Sequence, residues 1–283
     1  MQSGQDVLEI SPLVKSLNAL LARIHAAVER ERRWTANAAH ELRTPLTGIK
    51  THVQIAQMSM TNEPGPARTA ITRDALHNAH TGVQQLQSTL EQLLQLARME
   101  SATEGDGGGM PMRSDAGEML RAFEQACAQS TARAVTERPH WTAPLTQQIE
   151  PPPDDPQWHH ACVALAPALL VSAITNLTDN ALRHQNTAEP VLATLALRKE
   201  SDRLWLEVHV RDHGPGMEAD DIALSTQRFW RKTQTSQGSG LGLTIVQHIA
   251  ESAGGELVLR AEHPGLSAVL RLPIDNTTLP RVH

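Results

Sequence analysis

Ala39-His40-Glu41-Leu42-Arg43-Thr44-Pro45-Leu46-Thr47-Gly48 sets an imidazole beside a carboxylate on what reads as a long amphipathic helix. The apolar positions Trp34, Ala38, Leu42, Leu46, Ile49, Val53 and Ala56 recur in steps of three and four, which turns one helix face inward. His40 follows Ala38 by two positions, roughly 200° round the helix, and is expected in solvent. If Glu41 holds one ring nitrogen protonated, the other keeps its lone pair, the state a nucleophilic imidazole needs. Pro45, one turn past Glu41, removes a backbone donor and is expected to bend the helix near that ring. A solvated surface histidine is the plain alternative, and it leaves the neighbours unexplained.

Three further blocks follow in fixed order. Asn176-Leu177-Thr178-Asp179-Asn180-Ala181 lies on a helix with apolar positions Leu169, Leu170, Ala173, Ile174 and Leu177. Asn176 and Asn180 are one turn apart and can project from one face. Amide oxygens are hard neutral donors suited to magnesium, although a solvated helix face would read the same way. Asp212-His213-Gly214-Pro215-Gly216 follows a strand. A carboxylate there can accept from an exocyclic amine while glycines let a flat base approach the backbone; an ordinary strand-ending turn is the alternative. Gly238-Ser239-Gly240-Leu241-Gly242-Leu243 opens a helix, whose first amides attract phosphate, although one glycine-rich run is weak evidence alone.

The elements that must hold these residues divide the chain. Its 283 residues, 40% apolar, suffice for two folded units and a linker. A net charge of −6 argues against nucleic acid as a partner. Cys127 and Cys162 lack metal-ligand spacing and read as packing residues in a reducing compartment. No apolar run reaches the roughly 18 residues of a membrane span, and no signal peptide is evident.

A helical pattern from about Leu13 to Ser59 ends at Asn62-Glu63-Pro64-Gly65-Pro66. The next carries a heptad seam, Leu76, Ala79, Val83, Leu86, Leu90, Leu93 and Ala97, with more apolar stripe than one hairpin can cover; a dimeric four-helix bundle would bury the excess. Glu104-Gly105-Asp106-Gly107-Gly108-Gly109 reads as a flexible linker. Beyond it the pattern is α/β: a helix from about Ala116 to Thr131, and strands at Val191 to Arg198, Leu204 to Arg211, Glu256 to Ala261 and Ser267 to Leu272. Helices on one face of a mixed sheet are expected, with Pro139 to Pro156 as a loop.

The His40 block resembles the phosphoacceptor box of bacterial sensor histidine kinases. The three later blocks resemble the N, G1 and G2 boxes of the ATP-binding fold that these kinases share with gyrase and MutL, and Arg228-Phe229-Trp230-Arg231 falls where the kinases carry an F box. The resemblance covers Glu9 to Pro273 and extends to the PmrB/QseC-like group. Glu9-Ile10-Ser11-Pro12-Leu13 with Leu17-Asn18-Ala19-Leu20 resembles the second helix of a HAMP relay.

The resemblance implies a helical hairpin forming a dimeric bundle, followed by an α/β sandwich of the GHKL (Bergerat) type. Its divisions would be a HAMP-like helix at 1–30, a dimerisation and phosphotransfer domain at 31–102, a linker at 103–115, a catalytic ATP-binding domain at 116–275 and a tail at 276–283. It implies ATP and Mg2+ as cofactors. Asn180 would coordinate magnesium, Asn176 would assist at the triphosphate, and Asp212 would read the adenine amine. Gly214 and Gly216 would line the base pocket, while Gly238, Gly240 and Gly242 would hinge a lid from about Met217 to Gln237. His40 would be phosphorylated, with Glu41 orienting its ring, and would pass the group to an aspartate of a response-regulator receiver domain. Thr44 would serve the reverse, phosphatase reaction. The whole would be the cytoplasmic portion of a homodimeric receptor anchored in a bacterial inner membrane.

Arg183 and His184 lie where family members touch phosphate, but a solvated helix end reads alike. Ala166-Pro167 stands where the family has an acidic residue before the proline, leaving a helix cap in question. The rivals are a gyrase-type ATPase, for which the N-box turn lacks a glutamate base, a nucleotide-binding scaffold without transfer, and a metal site among the 14 histidines.

Overall fold

The computed structural model describes residues 3–60, 66–104, 113–138, 144–201, 203–227, 230 and 240–275. Two compact units, Met1–Glu91 and Gln92–His283, divide the chain.

The first unit is a helical hairpin, α1 (Ser3–Met60) followed by α2 (Pro66–Glu104), whose last turns belong to the second unit. Ser59 Oγ lies 2.5 Å from Thr72 Oγ1. Ten residues back along α1 and ten forward along α2, Ile49 meets Gly82, so the helices are antiparallel. A Cβ on Gly82 would stand 2.7 Å from Ile49 Cγ1, so the glycine sets how closely α2 approaches α1 just past Pro45.

The predicted seam splits between two faces. On α2, Ala79 and Leu93 are buried while Leu76, Val83 and Leu90, seven apart, stay exposed. On α1, Ala38 and Ala56 are buried, but Leu46 and Val53 are open although the stripe was expected inward. One partner helix covers only one side of so wide a stripe. The side chain of Trp34 lies outside the described residues.

The second unit is an α/β sandwich. Its sheet contains β2 (Leu145–Glu150), β4 (Val191–Glu200), β5 (Arg203–Arg211), β6 (Glu256–Ala261) and β7 (Leu266–Pro273), in the order β2-β4-β5-β7-β6. Among the described residues only the β2–β4 pairing is parallel. A separate ribbon joins β1 (Ser114–Asp115) to β3 (Cys162–Val163). Ladders of apolar residues run across the three central strands: Leu197, Leu206 and Leu272; Leu195, Val208 and Leu270; Ala193, Val210 and Ala268. All nine are buried, and they give the sheet one continuous apolar face.

Three helices form the other layer, with α4 (Pro167–His184) packed against both α3 (Ala116–Glu137) and α6 (Gly242–Ser252). A short α5 (Ala219–Ser225) follows β5. The opposite face of the sheet is charged, with Arg271 bonding Glu207 at 2.9 Å and Glu256 at 2.8 Å beside the Trp205 ring.

α3 begins on a capping box between Asp115 and Glu118 and runs six residues beyond the expected end. Its Ser130 Oγ pairs with Thr178 Oγ1 of α4 at 2.7 Å in the buried layer, so the polar residue lies inside the helix rather than at its end. The stretch expected as a loop up to Pro156 contains β2, which pairs with β4 along its whole length. A 3-10 turn, Pro156–His160, then buries Trp158, whose Nε1 donates to Pro151 O at 3.0 Å. Cys127 and Cys162 are buried, and burial pushes the Cys127 thiol up to about 12, consistent with inert packing.

Ala166 caps α4 with extended backbone and no side-chain bond. Ala166→Asp should therefore supply the missing acceptor and stabilise the second unit by about 1 kcal/mol. Urea unfolding would check this, and an unchanged midpoint would mean that the helix start is already satisfied.

Candidate functional site

In the first unit the helix places His40 outward, with its side chain 73% exposed. Its Nδ1 lies 3.7 Å from Glu41 Oε1, and the glutamate is largely buried. That separation is beyond a hydrogen bond. Pro45, one turn past Glu41, brings no backbone N–H to the helix. Thr44 Oγ1 reaches back to His40 O at 3.2 Å, and Thr47 and Thr51 make the same bond to the residues four before them.

In the second unit Asp212 directly follows β5 and is buried. Its N donates to Leu266 O at 3.0 Å, while Oδ1 accepts from Gly214 N at 2.8 Å and Leu266 N at 3.2 Å. Both donors reach one oxygen, and Oδ2 takes no hydrogen bond among the described residues. Burial raises the carboxyl above the usual range, opposed by the two backbone donors and by nearby His184 and His213. His184, at the end of α4, is pushed below the ordinary imidazole range by burial and then by Arg183.

The blocks meet where side chains are missing. A Cβ on Gly214 would lie 2.5 Å from His184 O, and one on Gly242 would lie 3.1 Å from Asn176 Oδ1. The N-box helix thus packs against both the Asp212 turn and the start of α6. Asn176 Nδ2 donates to Ser172 O at 2.9 Å, and its Oδ1 accepts from Gln92 Nε2 at 3.2 Å, within the second unit. Asn180 makes no side-chain hydrogen bond among the described residues. Gly240, at φ +67, precedes α6, whose first turn has no side-chain cap. Gly216 also has positive φ and packs on Gly265. Gly238, most of the expected lid's second half and three of the four F-box residues lie outside the described residues. Thr244 Oγ1 donates to Thr226 O at 3.0 Å, tying α6 to the segment after α5.

Sequence reasoning missed two residues. Gly265, at φ +103, sits so close to Asp212 that a Cβ would lie 1.9 Å from the Asp212 carbonyl oxygen. Pro264-Gly265 signals a turn, but nothing local shows what it abuts. Gln185 is buried just past α4, and its Oε1 accepts from His213 N at 2.7 Å. Two of the 14 histidines, considered as a source of metal ligands, have other contacts: His209 Nε2 lies 2.6 Å from Ser267 Oγ, and His213 Nε2 lies 3.2 Å from Glu189 Oε2.

The family of histidine kinase-, DNA gyrase B- and HSP90-like ATPases matches residues 166–276, and the His Kinase A (phospho-acceptor) domain matches residues 30–102. The sensor protein QseC of Escherichia coli K12 is 34% identical over 263 residues, covering 92% of this chain and 51% of the relative. The sensor protein kinase PmrB of Pseudomonas aeruginosa is 32% identical over 272 residues, covering 94% and 50%. The histidine kinase AdeS of Acinetobacter baumannii shares the fold, with a TM-score of 0.54, 16% identity, and coverage of 83% of this chain and 98% of that one. The chain spans about half the length of the curated relatives it matches. With a phosphoacceptor helix and a GHKL-type nucleotide fold in sequence, the chain belongs to the bacterial two-component sensor histidine kinases.

Proposed function

We propose that the chain transfers the γ-phosphoryl group of ATP to His40, then to an aspartate of a response-regulator receiver domain, and that it also removes the group from that regulator. The observation that carries this reading is the exposed His40 ring beside the Glu41 carboxylate, in a chain that also carries the ATPase fold. With Nδ1 on the Glu41 side, Nε2 attacks the γ-phosphorus. The new P–N bond forms as the bond to the bridging oxygen breaks, and ADP leaves. Catalysis is mostly positioning and charge neutralisation.

The donor set fits the nucleotide. Asp212 Oδ2 takes the adenine amine, Gly214 and Gly216 leave room for the base, and Gly240 and Gly242 leave the backbone open to phosphate, with Gly238 in the same block. Asn180, with Asn176 assisting, would hold magnesium, which would neutralise triphosphate charge. Leu46 and Val53 on α1 and Leu76, Val83 and Leu90 on α2 are the exposed apolar residues a homodimer would cover. The division into a HAMP-like helix at 1–30, a phosphotransfer domain at 31–102, a linker at 103–115 and an ATP-binding domain at 116–275 belongs to this reading. So does a place as the cytoplasmic portion of a bacterial inner-membrane receptor. Among the described residues no helix is long and apolar enough to cross a membrane.

Incubation with γ-labelled ATP tests the reading: label on the protein should be acid-labile and alkali-stable. Acid-stable label, or ATP binding without label, would reject it. The phosphatase half is supported by the name of a relative 29% identical over 281 residues, the histidine-protein kinase/phosphatase MprB of Mycolicibacterium paratuberculosis, and by Thr44 one turn past His40. Its hydroxyl positions water against the regulator's acyl phosphate. Thr44→Ala should slow regulator dephosphorylation on the order of 10²-fold while sparing autophosphorylation. The opposite pattern in paired assays would reverse the assignment.

A further inference from the structure

We propose that Gln185 is a positioning residue, fixing the turn that carries Asp212 to the helix that carries Asn176 and Asn180, and thereby setting the preference for adenine over guanine. The proposal rests on the nucleotide-site reading above. Gln185 is 2% exposed, and its groups link several elements. Its backbone N donates to Ala181 O at 2.9 Å, closing α4, and its carbonyl accepts from Arg138 Nη1 at 3.0 Å, joining the end of α3. The side-chain Nε2 donates to Thr187 Oγ1 at 2.9 Å and to Glu189 O, in the segment leading to β4. Oε1 accepts from His213 N at 2.7 Å. The amide orientation follows from these partners, since a peptide N–H can only donate and a peptide carbonyl can only accept.

The bond to His213 links the two halves of the site. In the turn after β5, Asp212 N bonds back to β7 through Leu266 O, and Gly214 N bonds Asp212 Oδ1. His213 N is the backbone donor of those three that leaves the strand layer, and Gln185 receives it. Gly214 then rests against His184 O at a distance no Cβ would allow. The glutamine therefore holds the turn to α4 from one side while the glycine contact sets the gap from the other.

Adenine presents an amine where guanine presents a carbonyl, so a carboxylate oxygen at that point attracts one base and repels the other. That discrimination depends on where the turn holds Asp212 Oδ2, because a displacement near 1 Å can cost on the order of 10²-fold at a recognition site. Triphosphate binding through α6 and the asparagines does not depend on the bond to His213.

The test uses the full chain and calorimetric titration with ATP, GTP and inorganic tripolyphosphate, together with amide hydrogen exchange. Gln185→Leu should weaken ATP binding about tenfold or more, reduce the ATP-to-GTP preference by a similar factor, and leave tripolyphosphate within about twofold. Exchange should accelerate in the 211–216 segment and not across β4 and β5. A role confined to general stability predicts equal losses for all three ligands, and that result, or unchanged ATP affinity, would overturn the proposal. Thr187→Val removes one partner of the Gln185 amide with less disturbance. It should lower the ATP-to-GTP preference in the same direction, and an unchanged ratio would also overturn the proposal. Failure of the unmodified chain to bind ATP would instead reject the nucleotide site on which the proposal rests, and a changed ratio with intact tripolyphosphate binding cannot be confused with that outcome.

Discussion

His40→Gln should abolish incorporation of acid-labile label from γ-labelled ATP, a loss beyond about 10³-fold, while ATP affinity stays within about twofold of the unmodified chain. The two halves of this expectation have separate physical grounds. Glutamine has no nucleophilic nitrogen, because its amide lone pair is delocalised, so the P–N bond cannot form. The ring it replaces is mostly exposed and glutamine is a good helix former, so the hairpin should keep its stability. Other histidines on the hairpin, including His25, His77 and His80, are also exposed, which makes the variant a test of identity as well as of exposure. They lack the adjoining acid and the proline one turn on. Label appearing at any of them in His40→Gln would show that exposure suffices and that Glu41 and Pro45 do not select the site.

The sequence was legible wherever a local pattern has one physical solution. Leu204, Leu206, Val208 and Val210 alternate, and Leu206, Val208 and Val210 are buried on the helix side of β5. Asn176 reaches Gly242 because both stand at places where their helices must touch. Legibility failed where a partner remote in sequence decides. Leu145-Thr-Gln-Gln-Ile-Glu150 has no clean alternation and half its residues are exposed, so only its parallel pairing with β4 makes it an edge strand. The α1 stripe marks apolar residues without showing which ones a single hairpin can cover, and Leu46 and Val53 remain open for that reason. Gln185 and Gly265 serve Asp212 from 27 positions before it and 53 after it, and neither belongs to a spacing that a motif could carry. The phosphoacceptor and nucleotide blocks were readable because their chemistry needs particular residue types close together. The residues that hold them in register answer only to shape and hydrogen bonding.

Asp212→Asn should raise the melting temperature of the unliganded chain at neutral pH while weakening ATP about 10- to 100-fold, the cost of losing a hydrogen bond to a charged group. Burial lifts the folded carboxyl above its ordinary value, so the fold favours the protonated form. The stabilisation linked to that proton is fully present below the ordinary carboxylate pKa and is lost as pH rises through the raised folded value. At neutral pH the ionised Asp212 therefore burdens the empty protein, and asparagine removes the charge while its carbonyl can still accept from Gly214 N and Leu266 N. The amide's NH2 then points where Oδ2 stood, donor against the adenine amine's donor, and the contact turns repulsive. Melting curves on acidification supply the check on sign: the gap between the variant and the parent should close as the parent's carboxyl takes up its proton. ATP should raise the parent's melting temperature at neutral pH and scarcely move the variant's. A variant that melts lower than the parent at neutral pH yet still binds ATP as tightly would mean that Asp212 serves the fold and not the base, because a carboxylate kept for recognition should relieve the empty protein when its charge is removed.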